Sequence, residues 1–348
     1  MSSSPLSAPL GQLPAQPAGI TRVADVYDLL ILDLDGTVRK GHQLLPGAAD
    51  TLGQVSTARA FVTNNAMHSP AEVAQMLTSG GLTVEADAVF TSPQAALAEL
   101  TVTAETRVYV LGTPALAEIV ERSGCQVVHA GTPTTEPVDI VLQGLDMNVD
   151  WARLSEAAAH VRAGARYVST NMDSTIPTET GLGLGNGAMT AAISAATGVI
   201  PDSYGKPHPA LYHLAAQQCQ ARTPLAVGDR LDTDIAAGSA AGMDTMVVLT
   251  GVTTPLALLS APPGQRPRLI AEDIRGVLAP LEEVKVGLQG GFVSTIKGKD
   301  LIISGGSADS TPLQALRSVC TAAWTTTVAP TNVLPASDYA EKAVNAWW

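Results

Sequence analysis

Aromatic residues make up only 4% of this 348-residue chain. So few cannot fill the interior of an aromatic-rich β-sandwich, whereas the abundant Ala, Gly, Val, Leu and Thr suit alternating strands and helices. Positive charge is scarce as well, with 20 Lys and Arg against 32 Asp and Glu and a net charge of -12. That balance argues against a nucleic-acid backbone or an anionic membrane as partner, because both reward clustered Lys and Arg. An acidic chain that binds phosphate must recruit positive charge locally. The three cysteines, Cys125, Cys219 and Cys320, stand too far apart for a zinc spacing or a disulfide framework, and read as buried or partly buried thiols in a reducing compartment. No apolar run approaches the length that spans a bilayer. Residues 1–20, rich in Ser, Pro and Ala, have neither the basic start nor the apolar centre of a signal peptide. They read as a disordered leader, and the cytoplasm as the location.

What is present is a 46% apolar composition, enough for a sizeable core and for two domains. From Asp28 onward short apolar runs alternate with amphipathic stretches, the pattern of an α/β protein with a doubly wound, Rossmann-like parallel sheet. Runs 29–34, 58–62, 224–227 and 245–249 are candidate strands, each followed by polar residues. Ser69-Pro70 with Glu72 marks a helix start. The interval between the second and third of these runs is too long for a crossover, so it must hold a domain of its own. With strands near 107–111, 140–142 and 167–169 and a helix over 151–163, this insert is itself α/β. We place it at 102–200, within a core formed by 21–101 and 201–283. Beyond 284, runs 292–296 and 301–304 predict a hairpin, and 312–326 and 338–348 predict helices. This extension carries Trp324, Trp347 and Trp348 and is too small to bury much alone, so it packs on the main body or on another subunit.

The chemistry concentrates in four fragments. Asp33-Leu34-Asp35-Gly36-Thr37 closes the first apolar run. Two carboxylates one residue apart can reach one metal ion, one through its side chain and one through its backbone carbonyl, while Gly36 turns the chain away. Thr63 closes the second run, Lys206 lies in Gly205-Lys206-Pro207, and Gly228-Asp229-Arg230-Leu231-Asp232-Thr233-Asp234 closes the third. Singly, each has an ordinary reading: a strand-end turn, a cap, a solvated lysine. Together and in this order they resemble the haloacid dehalogenase superfamily. Asn64-Asn65, Ser169-Thr170-Asn171-Met172-Asp173, Pro177-Thr178-Glu179, Gly242-Met243 and Leu249-Thr250-Gly251-Val252-Thr253 extend the likeness to its NagD-like phosphatases, over residues 28–276. By general similarity, and not through any substrate-reading motif, the chain also resembles actinobacterial glycerol-3-phosphate phosphatases, which carry a C-terminal extension.

The resemblance implies an α/β haloacid dehalogenase core with an inserted α/β cap, and a Mg2+-dependent phosphatase of a small phosphorylated metabolite. Asp33 would attack phosphorus and form an aspartyl-phosphate, while Asp35 serves as general acid and then general base. Mg2+ would bind the Asp33 carboxylate, the Asp35 carbonyl and the Asp229 carboxylate. Asp234 would hold a metal-bound water or Lys206, and Asp232 would be a surface or capping residue. Thr63 and the backbone N–H of Asn64 would bind the phosphoryl group, with Lys206 supplying compact positive charge. In the cap, Asn171, Asp173 and Asn186 are candidates to read the leaving group, and equally loop or capping residues. His68, His160, His208 and His213 show no metal spacing. The resemblance points to glycerol 3-phosphate as the single substrate to expect, with sugar phosphates, phosphoglycolate or nucleotide monophosphates as the broader alternative. Dehalogenation is disfavoured because it does not need the acid Asp35, and a phosphomutase because residues 37–63 are too few for its helical cap. A non-catalytic scaffold is disfavoured because all four motif positions are intact. The resemblance also allows a homodimer, since similar caps often meet across a dimer interface.

Overall fold

The computed structural model describes residues 21–132, 136–178 and 181–347; the expected leader, Glu179 of the insert and Trp348 lie outside the described residues. The strand Leu29–Asp33 is buried along its whole length, as expected for an apolar run covered on both faces of a parallel sheet. It pairs in parallel with Ala58–Thr63 on one side and Pro224–Gly228 on the other. The sheet has six strands, in the order Leu269–Ala271, Asp244–Val248, Pro224–Gly228, Leu29–Asp33, Ala58–Thr63 and Val89–Thr91. From the central Leu29–Asp33 strand the chain winds outward to one edge, then returns to wind toward the other. The strand order reverses between Leu29–Asp33 and Pro224–Gly228, and there a crevice opens at the carboxyl ends. Sequence patterning points to four of these strands. The two edge strands, Val89–Thr91 and Leu269–Ala271, hold three residues each, too few for any periodicity to register.

A second sheet, with strands in the order Asp202–Ser203, Arg166–Ser169, Ile140–Gln143, Arg107–Leu111 and Gln126–His129, is also parallel. It is accompanied by the helices Pro114–Arg122, Trp151–Arg162 and Asn186–Thr197. An antiparallel hairpin, Thr175–Thr178 with Gly181–Leu184, projects beside it. Val108, Leu116 and Val120 of this unit share a buried cluster with Ala96 and Leu97 of the Ser92–Glu99 helix, which seats it on the first sheet's layer.

The last segment forms the expected hairpin, Phe292–Lys297 with Asp300–Gly305, but a third strand, Asn332–Pro335, joins it in parallel. Its helices are shorter than the composition suggests, Pro312–Ala323 and Asp338–Asn345. After the first of them, the hydroxyls of Thr325 and Thr326 donate to the carbonyls of Ala322 and Ala323 at 2.7 and 2.8 Å, ending the helix by satisfying its final acceptors. Phe292, Leu316, Val319 and Val344 pack in one cluster with Leu231, Val247, Leu258 and Ile270, so the segment sits on the main body. Arg317 fastens the joint. It is buried, and its Nε and Nη2 donate to the Ile270 carbonyl at 2.9 and 2.7 Å and its Nη1 to Gln289 at 3.2 Å. Burial pushes its guanidinium down to about 10. Arg317→Ala strips the Ile270 carbonyl of two charged donors, an expected loss of about 2–4 kcal/mol. Thermal melting should show it as a drop of several degrees with kcat per folded molecule unchanged; an unaltered melting curve would mean the joint does not depend on Arg317.

Candidate active site

Asp33 ends the central strand, and Asp229 follows Pro224–Gly228 directly beside it, so the switch point alone brings two carboxylates together. A third arrives through a single wide helical turn, Leu231–Ile235, in which the N–H of Ile235 reaches the carbonyl of Arg230 at 3.1 Å. This π-type turn delivers Asp234, and such turns are frequent at functional sites. Carboxylate oxygens of Asp33, Asp229 and Asp234 lie within 4.8 Å of one another, and all three residues are buried. Lys206, buried as well, joins them. Its ammonium donates to Asp234 Oδ1 at 2.6 Å and to Asp33 Oδ1.

The electrostatics follow from burial. Desolvation pushes the Asp33 carboxyl well above the ordinary range, with Asp234 adding to the shift and Lys206 opposing it. Asp229 is pushed up to about 6, again by burial first and Asp234 second. Burial opposes the charge on Lys206, but Asp234 and Asp33 outweigh it and raise the ammonium well above its usual value. One buried ammonium thus faces three buried carboxylates. Asp229 Oδ2 accepts from the N–H of Val252 at 2.8 Å, while its buried Oδ1 has no hydrogen-bond partner among the described residues. A surplus of negative charge and an unpartnered carboxylate oxygen, all from hard oxygen donors, fit a divalent cation such as Mg2+.

Asp35 stands apart from this cluster. Its side chain is 54% exposed and pairs with Arg39 at 3.2 Å. Gly36 makes the turn between them with a φ of +94°, and a Cβ there would lie 2.5 Å from Asp229 Oδ2. Only glycine has both the conformation and the clearance. Thr63 is buried at the end of its strand, and its hydroxyl oxygen accepts from the N–H of Asn65 at 3.1 Å, which leaves its own O–H available to donate.

From the second sheet, the loop after Arg166–Ser169 reaches the same crevice. Asn171 Nδ2 donates to the Asn64 carbonyl at 2.8 Å, and Asn64 Nδ2 donates to Asp173 Oδ2 at 3.4 Å. Asn186 is buried behind that loop. Its Nδ2 donates to Ser169 Oγ and the Asn171 carbonyl at 2.9 and 2.8 Å, and its Oδ1 accepts from Gln143 at 3.3 Å. Both ends of its amide are therefore engaged within the loop's own support. Asp232 pairs with Arg230 at 2.8 Å on the exposed side of the turn. Among the histidines, His160 packs on Tyr109 and His208 on Tyr204; none joins the carboxylate cluster. Sequence reasoning passes over Arg39, although its spacing from Asp35 was a usable signal. It also passes over Ser92, whose hydroxyl donates to the Asn64 carbonyl at 2.8 Å across 28 positions, a contact with no local signature.

Residues 30–126 match a family model described as haloacid dehalogenase-like hydrolase, and residues 203–277 one described as HAD-hydrolase-like. A D-glycerol 3-phosphate phosphatase of Mycobacterium tuberculosis is 38% identical over 93% of this chain and 95% of its own. An acid sugar phosphatase of Staphylococcus saprophyticus is 39% identical over 66% of this chain and 88% of its own. Among solved structures, that of a glycerol phosphate phosphatase from Mycobacterium tuberculosis in complex with magnesium superimposes with a TM-score of 0.89 at 37% identity, covering 94% of this chain and 99% of that one.

Proposed function

The chain belongs to the haloacid dehalogenase-like hydrolases and is a phosphatase of phosphate monoesters, and from that premise we propose that it hydrolyses glycerol 3-phosphate through an aspartyl-phosphate on Asp33. The observation that carries this reading is the buried group of Asp33, Asp229 and Asp234 around Lys206. The likeness to a glycerol 3-phosphate phosphatase along nearly the whole chain supports the substrate.

In this mechanism an Asp33 oxygen forms a bond to phosphorus as the ester P–O bond breaks, and Asp35 protonates the departing alkoxide. Asp35 then takes a proton from water as the water oxygen bonds to phosphorus and the Asp33–phosphorus bond breaks. For this it must leave Arg39 and face the leaving-group oxygen, a rotation its exposed position permits. Thr63 donates its hydroxyl, and Asn64 its backbone N–H, to the phosphoryl oxygens. Lys206 places a fixed positive charge beside them. The carboxylates of Asp33 and Asp229 and the carbonyl of Asp35 would hold Mg2+, which would supply further positive charge to offset the repulsion between a dianionic ester and an anionic nucleophile. Asp234 keeps the Lys206 ammonium in place. Asp173, with acceptor capacity beyond its bond to Asn64, is suited to the hydroxyls of a polyol leaving group; Asn171 and Asn186 hold its loop.

The acidic composition supports a small-molecule substrate and no nucleic-acid partner. Among the described residues no helix is long and apolar enough to cross a membrane. The free Cys125, Cys219 and Cys320 support a cytoplasmic location. A homodimer with caps in contact belongs to the same reading, supported by the exposed Trp151 and Met147; a solution mass of one chain would remove it.

A kinetic panel tests the substrate. Glycerol 3-phosphate should exceed sugar phosphates, phosphoglycolate and nucleotide monophosphates in kcat/KM by roughly tenfold or more. Equal values across the panel would replace the narrow assignment by broad specificity, the reading that the likeness to an acid sugar phosphatase favours.

A further inference from the structure

Asn64 does more in this structure than its backbone N–H accounts for. Its side-chain amide closes on the backbone of Lys206 from both directions: Oδ1 accepts from the Lys206 N–H at 2.8 Å, and Nδ2 donates to the Lys206 carbonyl at 3.1 Å. The same Nδ2 reaches Asp173 at 3.4 Å, and the Asn64 carbonyl takes up Asn171 Nδ2 at 2.8 Å. One residue therefore touches the phosphate-binding turn, the lysine loop and the loop of the inserted unit. Residues 64, 173 and 206 are remote in sequence, so nothing but the fold unites them. Gly205 seals the joint, because a Cβ there would lie 2.8 Å from Asn64 Oδ1 and 3.2 Å from Asn171 Cβ.

Resting on the catalytic reading above, we propose that Asn64 is a positioning residue whose amide sets where the Lys206 ammonium stands and couples that position to the 171–173 loop. The distances divide the work. The pair of bonds to Lys206 is the firm part, holding the lysine backbone at a fixed height over Asp33 and Asp234. The bond to Asp173 is near the limit of a hydrogen bond and is the adjustable part, free to tighten when the loop settles on a leaving group. A lysine misplaced by an ångström costs transition-state stabilisation without altering the chemistry of any reacting group.

The test compares full-length Asn64→Ala, Asn64→Asp, Asp173→Asn and Asn64→Asp/Asp173→Asn with Lys206→Ala, on 4-nitrophenyl phosphate and glycerol 3-phosphate, with a melting curve for each. Asn64→Ala should lower kcat by about 10- to 100-fold on both substrates, because the lysine serves any phosphate ester. Asn64→Asp keeps the acceptor for the Lys206 N–H and the residue's shape, but loses both donated bonds and sets a carboxylate against Asp173. Its kcat/KM should fall further for glycerol 3-phosphate than for the aryl ester. Adding Asp173→Asn returns a donor between the two residues; because Asp173 also faces the leaving group, the reference is Asp173→Asn alone, against which the loss caused by Asn64→Asp should be at least about threefold smaller. If Asn64→Ala does not fold, the near-isosteric Asn64→Asp carries the test. An Asn64 variant with kcat per folded molecule within about twofold of wild type, and only its melting temperature lowered, would overturn the proposal. An equal loss from Asn64→Asp with and without Asp173→Asn would remove the coupling. An active Lys206→Ala would instead overturn the catalytic reading, whereas an inactive Lys206→Ala beside fully active Asn64 variants would sink this inference alone.

Discussion

Asp33→Asn is expected to abolish turnover, by about 10^4-fold or more, while the protein remains folded. The amide has the shape of the carboxylate but cannot form the acyl-phosphate bond, and nothing else in the crevice can replace it. Asp229 and Asp234 are close, yet Asp229 faces Val252 and Asp234 is engaged by Lys206 and by the N–H of Arg230. Stability should barely change, because two effects of opposite sign meet here. Removing a buried carboxylate that is pushed well above its ordinary range relieves its desolvation first and its repulsion with Asp234 and Asp229 second. Removing its charge also costs Lys206 one of its two ion-pair partners, but the Asn oxygen can still accept from the ammonium and Asp234 still neutralises it. The measurement is single-turnover phosphate release beside a melting curve. Retained activity would refute Asp33 as nucleophile, and loss of the fold would make the position structural.

Chelation of Mg2+ is expected to reduce activity to background, and the carboxylate cluster predicts a second effect that needs no substrate. In the metal-free protein Asp229 is pushed from 3.8 to about 6, so its ionisation opposes folding. For a raised carboxyl the sign is fixed: its contribution to stability is present below pH 3.8 and is lost as pH rises through about 6. Mg2+ binds the ionised form, so its stabilising effect runs the other way and grows over the same window. At 100 times its dissociation constant the ion should add about 2.7 kcal/mol. Below pH 6 the half-saturating Mg2+ concentration should rise by about tenfold per pH unit for the proton that competes at Asp229, and more steeply where a proton on the raised Asp33 carboxyl competes as well. Melting curves with and without Mg2+ at pH 5 and pH 7 measure this directly. A melting temperature indifferent to Mg2+ at pH 7 would exclude a metal at these carboxylates.

Much of this architecture is legible in the sequence. Apolar runs ending in Asp33, Thr63 and Asp229 marked parallel strands whose carboxyl ends carry the chemistry, because a strand buried on both faces must be apolar until it emerges. The three-residue edge strands and the strand Gln126–His129, which is buried at Val128 alone, gave no pattern to read. Asn332–Pro335 was equally silent, being an edge strand exposed along most of its length.

The sequence by itself determined which residue types are available and roughly where each strand delivers them: two carboxylates at the first strand end, a hydroxyl at the second, an acidic turn at the third and a lysine before it. These are local properties, since a strand's burial and a turn's chemistry are written in consecutive residues. The tertiary structure alone decided that Asp33, Asp229 and Asp234 share one buried space with a single ammonium, and that Asn64 ties Lys206 to the loop of the inserted unit. Each of these depends on groups brought together across many positions by the reversal in strand order. Burial, which sets the charge states, exists only once the sheets have packed.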